Sequence, residues 1–508
     1  MHPSADIDVL IIGAGISGIN AAYRIQERCP DLTYAVLEGR DAIGGTWDLF
    51  RYPGIRSDSD IYTLSLPFYP WKGEDSIVDG DEILAYITEA TRRFGIDRHI
   101  RLRHHVRAAE WSSQAQRWSV TVDTADTPDG AATYSARFVV VCTGYYDYES
   151  PHDPGFEGVE SFGGTVVHPQ FWPDDLDVSG KRVAVIGSGA TAITLVPALA
   201  DLGASVTMVQ RTPTYVLAQP RHDPLADVLR RALPAKAAHQ VMRVKNTALQ
   251  WGLYQACQRA PGAMKALLRK GAIHGVGSER IVDEHLTPPY DPWDQRLCIA
   301  PHGDFFTAVR DGSASIMTGR IERFVPEGIR LVDGTVVEAD VIVTATGLRI
   351  KLLGGVDVRI DGEPVDLAAA YAYNGAMLSG VPNLAFSVGY INLSWTMRSD
   401  LTARFVARVL RRFVDSGSAV VTPRLPDRVA RRESGPLLDM QSGYLARAAS
   451  TMPRATKRYP WALAQNIVRD AWATNRADLD DGLEWKPSRH TSSEALTSAI
   501  ESTSGGSR

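Results

Sequence analysis

Residues 9–18 read Val9-Leu10-Ile11-Ile12-Gly13-Ala14-Gly15-Ile16-Ser17-Gly18. Four consecutive aliphatic residues suit a strand buried on both faces of a parallel sheet. The glycines that follow at once suit a strand-turn-helix unit built to receive a nucleotide pyrophosphate. Gly13 permits the tight turn, Gly15 lets the phosphates approach the backbone, and Gly18 lets helix and strand pack closely. The helix amino terminus, with Ser17 in its first turn, then faces the anion. Ala21, Ala22 and Ile25 continue an apolar face until Pro30 stops it. The next strand, Tyr34-Ala35-Val36-Leu37, ends at Glu38, whose carboxylate would accept hydrogen bonds from ribose hydroxyls and repel a 2′-phosphate. FAD or NAD fits that site and NADP does not.

The arrangement recurs. Arg182-Val183-Ala184-Val185-Ile186 is a strand, and Gly187-Ser188-Gly189-Ala190-Thr191-Ala192, followed by Ile193, is a second phosphate-binding turn. Ala192 stands in place of the third glycine, a variant that the fingerprint allows. The following strand, Val206-Thr207-Met208-Val209, runs into Gln210-Arg211-Thr212, with no carboxylate. A guanidinium beside a hydroxyl favours a 2′-phosphate, which arginine can bind bidentately. NADPH is therefore the expected donor. The fold class is α/β, with two Rossmann-like dinucleotide-binding domains.

With 508 residues the chain exceeds what one core usually organises. Its 44% hydrophobic and 22% charged composition and net charge of -5 describe a globular protein with no demand for nucleic acid. Cys29, Cys142, Cys257 and Cys298 are far apart, without Cys-x2-Cys spacing, which argues against zinc and against a disulfide framework. A reducing cytoplasm fits best. The first residues run straight into a strand, leaving no room for a signal peptide, and no apolar run approaches the roughly 18 residues needed to span a bilayer.

Two further patterns stand apart from the fingerprints. Gly44-Gly45-Thr46-Trp47 opens a run through Tyr52, Pro53 and Gly54 to Asp58, and Phe162, Gly164, His168, Trp172 and Pro173 form Phe-x-Gly-x3-His-x3-Trp-Pro. With these the chain resembles the Baeyer–Villiger monooxygenases, class B flavoprotein monooxygenases, over about residues 6–485. The resemblance implies that FAD occupies the first site, wrapped by Gly45, Thr46, Trp47, Asp48 and Leu49. It puts the Arg56-Ser57-Asp58 turn at the flavin and the backbone of Val106 against the adenine. His168 then belongs to a linker that couples rotation of the NADPH domain to the reaction cycle. Within Pro292-Trp293-Asp294-Gln295-Arg296, the resemblance makes Arg296 the arginine delivered onto the flavin. An interdomain salt bridge of Arg296 with Asp294 or Asp304 is the plainer reading.

Domain boundaries follow. Residues 1–150 form the first part of the FAD-binding domain and 151–335 the NADPH-binding domain. The chain returns to the FAD domain over 336–485, with Val341-Ile342-Val343-Thr344-Ala345-Thr346-Gly347 marking the return, and 486–508 form a Ser-rich, disordered tail. Helices are expected over 81–94 and 399–413, the latter aimed at the flavin, and strands over 100–106, 118–122 and 383–390. Within the NADPH domain, 213–290 reads as a helical insertion whose cations between Leu225 and Gly275 face a single acid, Asp227. A solvated basic face that draws in NADPH is the favoured reading. Weak peripheral contact with anionic lipid is the other.

Two dinucleotide sites imply that NADPH reduces FAD, and with no redox cysteine pair the remaining acceptor is O₂. By resemblance, a C4a-peroxyflavin is kept alive by retained NADP⁺ and Arg296, with Asp58 holding Arg296. It converts ketones to esters or lactones and oxidises thioethers or thioamides. An N- or S-hydroxylating flavin monooxygenase without ketone activity is the first rival and a non-enzymatic flavoprotein the second. Oligomeric state is left open.

Overall fold

A computed structural model describes residues 5–430, 434–438 and 443–488, so the tail expected over 486–508 lies outside the described residues beyond 488. The first sheet begins with the strand Ala5–Ile12, which pairs in parallel with Tyr34–Leu37 on one side and Ala131–Val141 on the other. Ile100–Arg101 extends it beyond Tyr34–Leu37, and Leu384–Phe386 pairs in parallel with the far end of Ala131–Val141. The near end of that long strand turns instead into an antiparallel meander with Arg117–Asp123 and His105–Ser112. The strand expected over 100–106 is thus two strands in different parts of the sheet. Arg103 adopts φ 55 between them, a left-handed conformation that ends extended pairing.

Helix Ile16–Arg28 buries Ile16, Ile19, Ala22 and Ile25. A second helix, Trp395–Asp415, lies against it, and Arg24 Nη2 meets Asp400 Oδ1 at 2.8 Å across the seam. Spacing of Leu401, Phe405, Val409 and Phe413, all buried, explains this helix. It starts earlier than the expected 399–413. The expected helix over 81–94 forms at Gly80–Arg93.

The second sheet is entirely parallel, in the order Ala314–Thr318, Ser205–Gln210, Arg182–Ile186, Val341–Thr344, Thr165–Val167. Two readings change here. Val341–Thr344 pairs with Arg182–Ile186 and Thr165–Val167, so the return to the first sheet comes after 347 and not at 336. A buried run of branched residues reads alike whichever sheet it completes. The stretch Phe162–Pro173 also contributes to structure of its own: Thr165–Val167 is an edge strand, and Phe162 is buried against Phe324 and neighbouring core residues. At Gly164 a Cβ would run into the Asp340 carbonyl oxygen, which explains the glycine in that pattern.

The insertion forms helices Pro224–Ala232, Ala235–Arg259, Pro261–Val276 and Glu279–His285. Trp485 lies in the strand Leu483–Pro487, paired with Ser418–Pro423, with its Nε1 donating to the Leu479 carbonyl.

Candidate active site at the junction of the two sheets

A cavity of about 500 Å³ opens where the carboxyl ends of both sheets meet. That position, outside strand ends where connections diverge, is where open α/β sheets place their ligands. Gly13, Gly15, Ser17 and Glu38 line it from the first sheet, and Gly45, Thr46 and Trp47 from the loop that closes over the first turn. Gly44 N–H donates to the Ala14 carbonyl at 3.1 Å, fixing that loop. Arg56, Ser57, Asp58 and Val106 complete this side, while Ala190, Thr191 and Arg296 come from the second sheet's half.

Glu38 is buried where the ribose is expected. Its carboxylate accepts from Ala14 N at 2.8 Å and Arg40 N at 3.0 Å. Burial nonetheless holds its pKa above the ordinary carboxylate value, against those N–H groups and the nearby Arg40. Asp48 does not face the cavity. It is buried between Arg40 and Arg51, at 2.6 and 2.9 Å, so it ties down the covering loop. Leu49 packs into the core of the second half and Gly18 sits behind the first turn.

Two arginines cross from one half to the other. Arg296 presents Nε and Nη2 to the two carboxylate oxygens of Asp58, each at 3.0 Å, a fork-to-fork pair at the cavity wall. Arg56 Nη1 reaches Asp304 Oδ2 at 2.7 Å. Neither carboxylate of the plainer reading takes Arg296: Asp304 takes Arg56, and Asp294 accepts from the backbone of Asp291. Burial raises the pKa of Asp304, with Arg56 opposing. Arg56 Nη2 is buried without a hydrogen-bond partner, so a donor at the cavity wall awaits an acceptor.

On the second turn, Gly187 has φ 136 and a Cβ there would strike the Ala345 carbonyl oxygen. Gly189 is exposed, with nothing within 4 Å of the position a Cβ would take. Ser188 Oγ donates to the Thr212 carbonyl at 2.8 Å, and Arg211 stands exposed just past its strand. Ala192 and Ile193 are buried in the helix that follows. Gly187, Ser188 and Gly189 adjoin Ala190 and Thr191 in sequence, and Thr212 is joined to them through Ser188, but these residues and Arg211 lie outside the cavity wall.

His168 is not at the cavity either. Its Nδ1 accepts from Gln170 N at 3.1 Å, capping a short turn, and burial lowers its pKa with the Gly347 backbone opposing. Trp172 packs against the second core. Gln170 Nε2 donates to the Asp147 carbonyl, tying this segment to the strand exit of the first sheet.

Sequence reasoning missed the apolar wall. Tyr145, Tyr146, Tyr390, Leu393 and Trp395 line the cavity, with Trp395 stacked on Tyr145 at 4.9 Å and its Nε1 donating to Ser17 Oγ at 2.8 Å. Trp395 lies four residues ahead of the helix expected over 399–413, and Tyr390 ends the strand expected over 383–390, so neither was singled out.

The family profile described as Pyridine nucleotide-disulphide oxidoreductase matches residues 10–245. FAD-containing monooxygenase EthA of Mycobacterium tuberculosis is 46% identical over 476 residues, covering 94% of this chain and 96% of that protein. The chain belongs to the FAD-containing monooxygenases. This monooxygenase is also 42% identical to a probable FAD-binding monooxygenase AlmA of Acinetobacter baylyi, covering 94% and 95% of the two chains. Its fold matches a structure described as oxidized steroid monooxygenase bound to NADP, with TM-score 0.77, 24% identity and coverage of 95% and 100%. An open crystal structure of cyclohexanone monooxygenase matches with TM-score 0.74, 20% identity and coverage of 95% and 100%. Among the described residues of this monooxygenase no helix is long and apolar enough to cross a membrane.

The residues present fit a flavin dinucleotide. Gly13 and Gly15 of the first turn line the cavity, Glu38 stands at the end of the second strand, and the unpartnered Arg56 Nη2 supplies a donor.

Proposed function

We propose that this chain is an NADPH- and O₂-dependent monooxygenase that converts ketones to esters or lactones and also oxidises thioethers or thioamides. The carrying observation is the Arg296–Asp58 fork at the meeting point of the two sheets. When bound in the first site and reduced by NADPH from the second, the flavin supplies the activation of O₂.

The chain's own residues supply the surroundings. An arginine keeps its charge at any working pH, so Arg296 can hold negative charge on oxygen without exchanging a proton. Asp58 fixes the guanidinium plane at the cavity wall through two of its N–H groups. Such a fixed cation in a site with little water contributes far more than it would in solvent, and losing one comparable donor costs about 10²–10³ in rate. Tyr145, Tyr390, Leu393 and Trp395 restrict water and offer an apolar wall to a carbonyl compound or a sulfide. Arg56 and Asp304 hold the two halves in register so that donor and acceptor sites face one cleft. Arg211 and Thr212 select the 2′-phosphate of NADPH, and Glu38 selects a plain ribose. Four separate buried cysteines leave the reaction without a dithiol acceptor and suit a reducing cytoplasm.

Product analysis by mass spectrometry under ¹⁸O₂, with a panel of ketones and sulfides, tests this reading. One heavy oxygen per ester or sulfoxide is expected. Sulfoxide without ester would favour the sulfur-oxidising rival, and hydrogen peroxide as the sole product with every compound would end the proposal.

A further inference from the structure

From Val228 to Ser278 the chain contains nine Lys and Arg residues and no Asp or Glu, in a protein whose net charge is -5. The structure separates these cations. Arg230, Lys245, Lys265 and Arg269 pair with Asp227, Asp223, Asp291 and Glu279, all outside or at the edges of the run. Arg243 is buried on the carbonyls of Tyr62, Thr63 and Ser65. Arg231, Lys236, Arg259 and Lys270 remain exposed, with no ion pair among the described residues.

The outward face of helix Ala235–Arg259 is unusual for a surface helix. Ala237, Val241, Val244, Ala248 and Trp251 follow one another at helical spacing and all are exposed, Val244 at 68%. No charge interrupts that stripe before Arg259. A surface helix ordinarily turns polar residues to solvent, yet this one turns an apolar stripe outward and buries His239, Arg243 and Asn246 on its inward side. Val228 and Leu267, exposed at 58% and 61% on the neighbouring helices, enlarge the apolar area. Of the fifteen large hydrophobic residues exposed among the described ones, eight fall between Leu225 and Leu267, so they are concentrated and not scattered.

We propose that this face docks on an anionic lipid bilayer, with Val244 and Trp251 at headgroup depth and the four unpaired cations against lipid phosphates. Exposed apolar residues flanked by cations of one sign are what an interfacial helix needs. A second copy of this chain is a poorer occupant, because a two-fold contact would set the same free cations against each other. Docking does not depend on the activity proposed above. It does bear on it: the opposite side of the helix holds Asp60, through Asn246 at 2.8 Å and Gln250 at 2.6 Å, two residues from Asp58.

The test is co-sedimentation of the full chain with vesicles of phosphatidylcholine alone or with about a third phosphatidylglycerol, at low and high salt. The wild type is expected to bind anionic vesicles about tenfold more than neutral ones and to release them in high salt. The double variant Val244→Glu, Trp251→Glu should lose about tenfold in binding while retaining flavin and NADPH oxidation. Should that variant fold poorly, the triple variant Lys236→Gln, Arg259→Gln, Lys270→Gln should show the same loss. Absence of binding to anionic vesicles, or equal binding by the variants, overturns the proposal. Concentration-dependent dimerisation abolished by Val244→Glu, Trp251→Glu, with no vesicle binding, does so as well and makes a second copy the occupant.

Discussion

The two glycine turns share a sequence pattern and differ in how the rest of the chain treats them. At the first, a Cβ on Gly18 would collide with the Gly13 carbonyl oxygen, and the Gly44–Gly45 loop lies across Gly15, with Gly45 Cα 3.6 Å from where a Cβ would be. At the second, Ala192 takes the place of that third glycine, and Gly189 meets nothing within 4 Å. Glu38 ends one unit buried, whereas Arg211 ends the other exposed. One site is roofed by protein and the other faces solvent. That contrast matches the roles proposed for them: a flavin retained through many turnovers, and a nicotinamide nucleotide that must come and go.

The widest expected difference comes from adding one methyl group to each turn. Gly18→Ala forces backbone against backbone, an overpacking that costs about 1–3 kcal/mol or more, and should yield protein without bound flavin after gel filtration. Gly189→Ala should keep its flavin and fold and raise only the KM for NADPH. Equal flavin content in the two variants would erase the contrast.

Next in size is Arg211→Gln. Removing a charge-assisted hydrogen bond costs about 1.5–3 kcal/mol, so the KM for NADPH should rise about 10- to 100-fold while that for NADH stays level. Steady-state kinetics with both nucleotides measures this directly.

A smaller effect belongs to the buried acid. Because burial raises the pKa of Glu38 in the fold, its contribution to stability is fully present below the unfolded value and is lost as pH rises through the folded one. Flavin-free protein should therefore melt at lower temperature as pH climbs from acid toward neutral, and Glu38→Gln should flatten that slope. Titration of the second turn offers no counterpart, since no buried acid stands at Arg211.

Much of this contrast was legible in the sequence. Both turns, their strands and the Glu38 against Arg211 distinction depend on residues within about one βαβ unit, where apolar runs and glycines dictate local structure. What was not legible depends on distance or on facing. Arg56 and Asp304 are 248 residues apart, and nothing local told Asp304 to prefer Arg56 over Arg296. The strand Val341–Thr344 looks the same in either sheet, so the return to the first was placed too early. The aromatic wall at Tyr390 and Trp395 had no spacing to announce it. The apolar outward face of the insertion was hidden for another reason: its sequence mixes cations, amides and apolar residues, and only the fold shows that Arg243 and Asn246 turn inward and leave Val241 and Val244 uncovered.

Both sites matter only if they serve one reaction, and the pair that joins them is Arg296 with Asp58. The decisive measurement is the ratio of ester formed to NADPH consumed by the Arg296→Ala enzyme, with its flavin content determined on the same sample. The account predicts a full complement of flavin, continued NADPH oxidation and a ratio near zero, with hydrogen peroxide in place of ester. Ester formed at the wild-type ratio by that variant would contradict it.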